Sequence, residues 1–182
     1  TVWRHVALVP QDYTRWPLTA RENIDLGAPR PEDDEAVHAA AAAARADTVL
    51  AALPQGLDTS LARSWWGGHD LSGGQWQRIA LARAFHRDAQ VLVMDEPTAA
   101  LDARAEAALF ASLRTLAAGR TTFLVTHRLA STRHADRIIV LDHGRVAECG
   151  SYAELTAKRS TFAELLALQE GQQHAAPALA TP

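Results

Sequence analysis

Asp95 and Glu96 stand side by side after a four-residue apolar run, residues 91–94, and are followed by Pro97-Thr98. A run of that length reads as a strand, and its unbroken apolarity predicts burial on both faces. Open α/β sheets bind ligands at the carboxyl edge, and consecutive strand residues point to opposite faces. The two carboxylates are therefore expected at one edge with different jobs. Upstream, Leu71-Ser72-Gly73-Gly74-Gln75 opens a stretch, 76–87, with no glycine or proline. That predicts a helix with Ser72 at or near its N-cap. First-turn N–H groups lack internal partners, the helix dipole is positive there, and glycines let a phosphate approach the backbone. Each stretch by itself has a plainer explanation: solvated acids at a strand end, and an ordinary capped helix.

Three more polar residues sit at element boundaries. Gln11 follows the apolar run Val6-Ala7-Leu8-Val9 and Pro10; His127 closes the apolar run 121–125, with Thr126 between; Asp102 leads a helical stretch, 103–117. Taken singly, these read as a loop residue, a strand-end histidine and an N-cap. The elements that must position them alternate. Between the first two strands lie a capping box at Thr19-Ala20-Arg21-Glu22, a helix over 32–46 and a short helix over 47–53. The alanine run at 39–44 has little apolar bulk and is expected at the surface. Residues 57–70 lack periodicity and end in Trp65-Trp66-Gly67-Gly68, a loop whose tryptophans either dock a partner or fill a local core. After 125, runs at 138–141 and 145–147 flank Asp142-His143-Gly144 as a hairpin. Ser151-Tyr152-Ala153-Glu154 is a second capping box, 161–170 is a last helix, and 171–182 is expected to be a disordered tail. Strands alternating with helices predict an α/β fold with a mainly parallel sheet.

The 182 residues suffice for one domain with a sizeable core, and 48% hydrophobic with 21% charged residues is ordinary for a globular protein. A net charge of −3 makes no electrostatic case for nucleic acid or anionic lipid. The lone Cys149 excludes an internal disulfide and fits a reducing compartment. No apolar run approaches the ~20 residues of a membrane span, and no signal peptide opens the chain. His5, His38, His69, His86, His134, His143 and His174 have no metal-ligand spacing. Met94, the only methionine, hints at a missing start.

The order of these stretches resembles the nucleotide-binding domain of ATP-binding-cassette (ABC) transporters: a signature at 71–75, Walker B at 91–96, a D-loop at Ala100-Leu101-Asp102 and a switch histidine. The run His127-Arg128-Leu129-Ala130-Ser131-Thr132 is similar to exporter-type members. The resemblance covers about 2–170 and implies a P-loop-NTPase-like fold. A helical subdomain is expected over 12–87, a catalytic core over 1–11 and 88–150, and C-terminal helices over 151–170. It implies ATP and Mg²⁺ as ligands, with Asp95 and Gln11 on the metal and Glu96, Gln11 and His127 as catalytic residues. Glu96 would orient or deprotonate the attacking water, and His127 would contact the γ-phosphate. Ser72, Gly73, Gly74, Gln75 and Asp102 would meet the nucleotide held by a second ABC domain, in a homodimer or heterodimer. A transmembrane exporter domain, and no nucleic acid, would complete the partners, and the chain itself would sit on the cytoplasmic face of the cell membrane.

Three features depart from the family. No G-x-x-x-x-G-K-[ST] phosphate loop is present, since the only lysine, Lys158, follows Ala157 and precedes Arg159. The chain is therefore expected to be N-terminally truncated, lacking the first strands and inactive by itself. Trp76 stands where a basic residue is common, and 62–70 lacks the usual exporter pattern. The alternatives are a non-catalytic subunit lending its signature in trans, or a soluble ABC-type ATPase.

Overall fold

The computed structural model describes residues 2–29, 34–62, 67–158 and 160–175. Trp65 and Trp66, and the tail beyond 175, lie outside the described residues. Two compact units divide the chain, Thr1–Val125 and Thr126–Pro182.

In the first unit, β1 (Val6–Val9), β2 (Val91–Asp95) and β3 (Thr121–Val125) form a parallel sheet in that order. Val9 pairs with Met94 and Met94 with Leu124, so the strands finish at one edge. Between β1 and β2 run α1 (Ala20–Asp25), α2 (Asp34–Ala43), α3 (Asp47–Ala51) and α4 (Gly73–His86); α5 (Ala103–Leu116) joins β2 to β3. Ala7, Val9, Leu92 and Met94 enter one core with Ile79 and Leu81 of α4 and Leu109 and Phe110 of α5.

The expected double-sided burial of residues 91–94 is corrected here. Leu92 and Met94 are buried but Val91 and Val93 only half so. The row beside Val93 carries Leu8 and Phe123, 53% and 54% exposed. A strand flanked on both sides can be apolar throughout while only one of its faces is covered by helices, and periodicity does not separate the cases. The alanine run, expected at the surface, buries Ala40, Ala41 and Ala44, and the helix ends at Ala43 with Arg45 in the left-handed region. Small side chains let α2 bury its backbone close to its neighbours without apolar bulk.

The helical part is knotted to α4 by two polar side chains. Asn23 is fully buried, and its Nδ2 donates to the carbonyls of Trp16, Leu18 and Thr19 at 3.0, 3.2 and 3.0 Å. Arg83 of α4 donates through Nε to the Asn23 carbonyl at 2.7 Å and through Nη2 to Asn23 Oδ1 at 3.1 Å. Burial pulls the Arg83 guanidinium below its usual value, and these acceptors are what satisfy it.

The second unit holds an antiparallel pair, β4 (Ile138–Asp142) and β5 (Arg145–Gly150). Its turn residues His143 and Gly144 both have positive φ, 45° and 72°, the type I′ geometry of a two-residue hairpin. Ile138, Leu155, Phe162 and Leu166 form its core with α6 (Tyr152–Ala157) and α7 (Thr161–Ala175). The rings of Tyr152 and Phe162 meet edge to face at 5.9 Å. α7 continues beyond residue 170 as far as Ala175. Among the described residues no helix is long and apolar enough to cross a membrane.

Two outcomes follow from these contacts. Asn23→Ala removes the Oδ1 acceptor of Arg83 Nη2 and the Nδ2 donor to the Trp16 carbonyl, while the Leu18 and Thr19 carbonyls keep the N–H groups of Leu61 and residue 23. It is expected to cost about 1–3 kcal/mol, read as a lower denaturant midpoint at unchanged m. In the capping boxes, backbone and hydroxyl bonds from Thr19 to Glu22 and from Ser151 to Glu154 hold both carboxyls below the ordinary value of 4.5. A depressed folded pKa adds stability above the unfolded value and loses it as pH falls through the folded one. This contribution is therefore complete at neutral pH and lost below 4.5. Thr19→Ala with Ser151→Ala should flatten that part of a pH–stability curve only partly, because the hydroxyl bonds go and the backbone N–H bonds to both carboxylates remain.

Candidate functional site

Asp95 ends β2 half-buried, on the same side of the sheet as Val91 and Val93. Glu96 leaves the strand through a left-handed turn, φ 49°, and is 9% exposed. Its N–H donates to the Val125 carbonyl at 3.0 Å, continuing the contact with β3 by one residue. The separation of the two carboxylates thus comes from a turn at Glu96, where the strand pleat alone was expected to provide it. Gln11 stands exposed beyond Pro10 at the exit of the neighbouring strand, so it and Asp95 share the carboxyl edge of the sheet. Carboxylate and amide oxygens are hard donors of the kind Mg²⁺ takes, one or two from protein and the rest from water and phosphate. Among the described residues no group of three or more His, Cys, Asp or Glu side chains could hold a metal.

The chain from Glu96 to Asp102 crosses toward α5. Thr98, buried, donates to Glu106 Oε1 at 3.2 Å, and Asp102 caps α5 by accepting from the Ala105 N–H at 2.8 Å. Asp102 remains exposed, so capping leaves it accessible at the surface.

The start of α4 resolves the two glycines into different roles. Ser72 is the N-cap and makes a reciprocal box with Gln75. The Gln75 N–H reaches Ser72 Oγ at 3.3 Å, and the Ser72 N–H reaches Gln75 Oε1 at 2.8 Å. The Ser72 hydroxyl oxygen is thereby used as acceptor, and its hydrogen is the part able to donate outward. A methyl at Gly73 would meet nothing within 4 Å; one at Gly74 would lie 3.0 Å from the Ala100 carbonyl oxygen. Gly73 offers the open backbone a phosphate needs. Gly74 is a glycine because the helix start packs against the Glu96–Asp102 connection. The Tyr13 hydroxyl donates to the Gly73 carbonyl at 2.7 Å, and burial pushes its phenol up. Trp76, the departure from a basic residue, is 3% exposed and belongs to the core.

His127 belongs to the second unit and is exposed, and its carbonyl accepts from Gln169 Nε2 at 2.6 Å. Gln169 Oε1 accepts in turn from the Leu129 N–H at 3.0 Å, so one α7 side chain fixes the backbone on both sides of Arg128. Tyr13, Gln77 and Gln169 are contributors that the sequence alone does not mark. Each acts through partners distant in the chain, and none carries a local motif.

Comparison with known proteins agrees with this geometry. The ABC transporter family model matches residues 2–99. The ATP-dependent lipid A-core flippase of Thiobacillus denitrificans is 44% identical over 92% of this chain and 28% of its own length. The protein of the same name from Pseudomonas aeruginosa is 43% identical over 96% of the chain and 28% of its own length. The chain thus spans little more than a quarter of these relatives. Among solved structures, a bacterial Atm1-family ABC exporter with ATP bound superposes with a TM-score of 0.81 at 37% identity, over 97% of this chain and 29% of that one. With the motifs, the parallel sheet and these matches in agreement, the chain belongs to the ABC transporter family and has the fold of its nucleotide-binding domain.

Proposed function

We propose that these residues form part of the ATP-hydrolysing domain of an exporter, whose intact protein couples hydrolysis to transport across a membrane. The observation that carries this is the common edge at which Gln11, Asp95 and Glu96 leave neighbouring strands while α4 begins against the same turn. Asp95 and Gln11 would hold Mg²⁺, which would neutralise charge on the phosphate oxygens. Glu96 orients or deprotonates the attacking water. Ser72, the backbone at Gly73 and Gly74, and the Nε2 of Gln75 bind the terminal phosphate of an ATP held by a second ABC domain. Asp102 lies at the crossing between the two domains, and His127 contacts the γ-phosphate.

Residues 12–87 act as the helical subdomain, 1–11 and 88–150 as the catalytic core, and 151–170 as C-terminal helices. The partners are a second such domain, identical or homologous, and a transmembrane domain, with this chain on the cytoplasmic face of the membrane. Relatives named lipid A-core flippases and an Atm1-family exporter resemble the chain over nearly its whole length. Cargo is accordingly selected by parts of the protein outside these residues, and a lipid such as lipid A-core is the candidate that the flippases offer.

The primary phosphate cradle also comes from outside them. The one lysine, Lys158, is the C-cap of α6, at the negative end of a helix dipole, where a phosphate is repelled. Leu8, Phe123 and Val125 stand exposed on the sheet face away from the helices.

Glu96→Gln in the intact protein is expected to keep ATP binding and lose turnover by roughly 10²–10⁴-fold, since an amide cannot take the proton. Near-normal ATPase activity would remove Glu96 from the mechanism. Purified residues 1–182 are expected to release no phosphate in a saturable, Mg²⁺-dependent way. Hydrolysis abolished by Glu96→Gln in that preparation would reveal a cradle within these residues.

A further inference from the structure

We propose that Gln77 is a positioning residue for Glu96, its buried amide tying α4 to the turn that bears the carboxylate. The inference rests on the role proposed for Glu96. Gln77 is 3% exposed and lies in the second turn of α4. Its Nε2 donates to the Glu96 carbonyl at 3.3 Å, and its Oε1 accepts from the Ala100 N–H at 3.1 Å. A side-chain amide has one donating and one accepting end, so a single glutamine closes both ends of the segment 96–100. Within the segment, the Ala99 N–H also reaches the Glu96 carbonyl at 3.1 Å.

Glu96 needs this support. Its φ of 49° is a left-handed conformation that a residue with a Cβ keeps only where the surroundings over-determine it. The Val125 carbonyl fixes its N–H, while Gln77 and Ala99 fix its carbonyl. Gly74 sits one turn before Gln77 on the same side of α4, and its close approach to the Ala100 carbonyl puts helix and turn in contact at two levels. A residue serving only the core would not need a polar end for each end of this turn. The same helix begins with the signature, so the group offered to a partner's nucleotide and the carboxylate acting on the chain's own nucleotide share one rigid support.

The test uses the intact protein with Gln77→Met, which keeps the length and removes both polar ends. ATPase kcat is expected to fall about tenfold to a hundredfold, the usual penalty for a small misplacement of a reacting group. KM for ATP should stay within about twofold, because the nucleotide contacts are untouched. In a Glu96→Gln background, single-turnover rates should show no further loss from Gln77→Met, since the substitution acts through a carboxylate already removed. Wild-type kcat in Gln77→Met, or the same fold-loss in both backgrounds, would overturn the inference. Hydrogen exchange at the Ala100 amide of the unaltered protein tests it without any variant having to fold. Ala100 is exposed, so slow exchange supports the bond to Gln77 and exchange at the solvent rate overturns it. Turnover retained by Glu96→Gln alone would sink the functional reading and this one with it. Turnover lost there but unaffected by Gln77→Met sinks only the role of Gln77.

Discussion

Parallel strands cannot be joined by a tight turn, because each must begin again at the edge where its neighbour began. In this chain that constraint decides where every chemical group ends up. α4 has 14 residues and β2 has 5, about 21 Å of helix against about 17 Å of strand. Since α4 must deliver the chain to the start of β2, its own start lies beside the end of β2. Ser72 and Gly73 therefore reach the edge where Asp95 and Glu96 emerge, although the two motifs are far apart in the chain. Gln11 arrives there because β1 runs the same way. The contacts of Gln77 and Gly74 with the turn at Glu96 are what this geometry produces once the helix seats on the sheet.

The parts legible in the sequence are those whose physics is local. Ser72 caps α4 and the pairs Thr19/Glu22 and Ser151/Glu154 form boxes because the spacing of a hydroxyl and an acceptor is enough to close them. The Ser72/Gln75 box has the same spacing, and it escapes notice when Gln75 is assigned to a ligand first. The hairpin at His143-Gly144 and the three parallel strands were legible for similar reasons, a turn signal and short apolar runs. What depends on distant partners was not. Gln77 looks like any polar residue in a helix, and its partners lie 19 and 23 positions away. Gly74 reads as a phosphate glycine until the Ala100 carbonyl appears against it. The apolar run of β2 conceals that Val93 shares its row with exposed Leu8 and Phe123. Asn23 and Arg83 are polar letters in a helical segment, and only the folded chain makes them a buried knot.

Position 96 also records a compromise between folding and chemistry. A left-handed backbone is free for glycine and costs a residue with a Cβ about 1 kcal/mol or more. Judged by fold stability alone, glycine would be the better occupant of that turn, and none of the backbone bonds there would object. The chain instead places a carboxylate on the strained atom and spends a buried glutamine on holding it. Variants selected only for heat resistance should thus drift toward glycine at 96, gaining robustness at the point where they surrender activity.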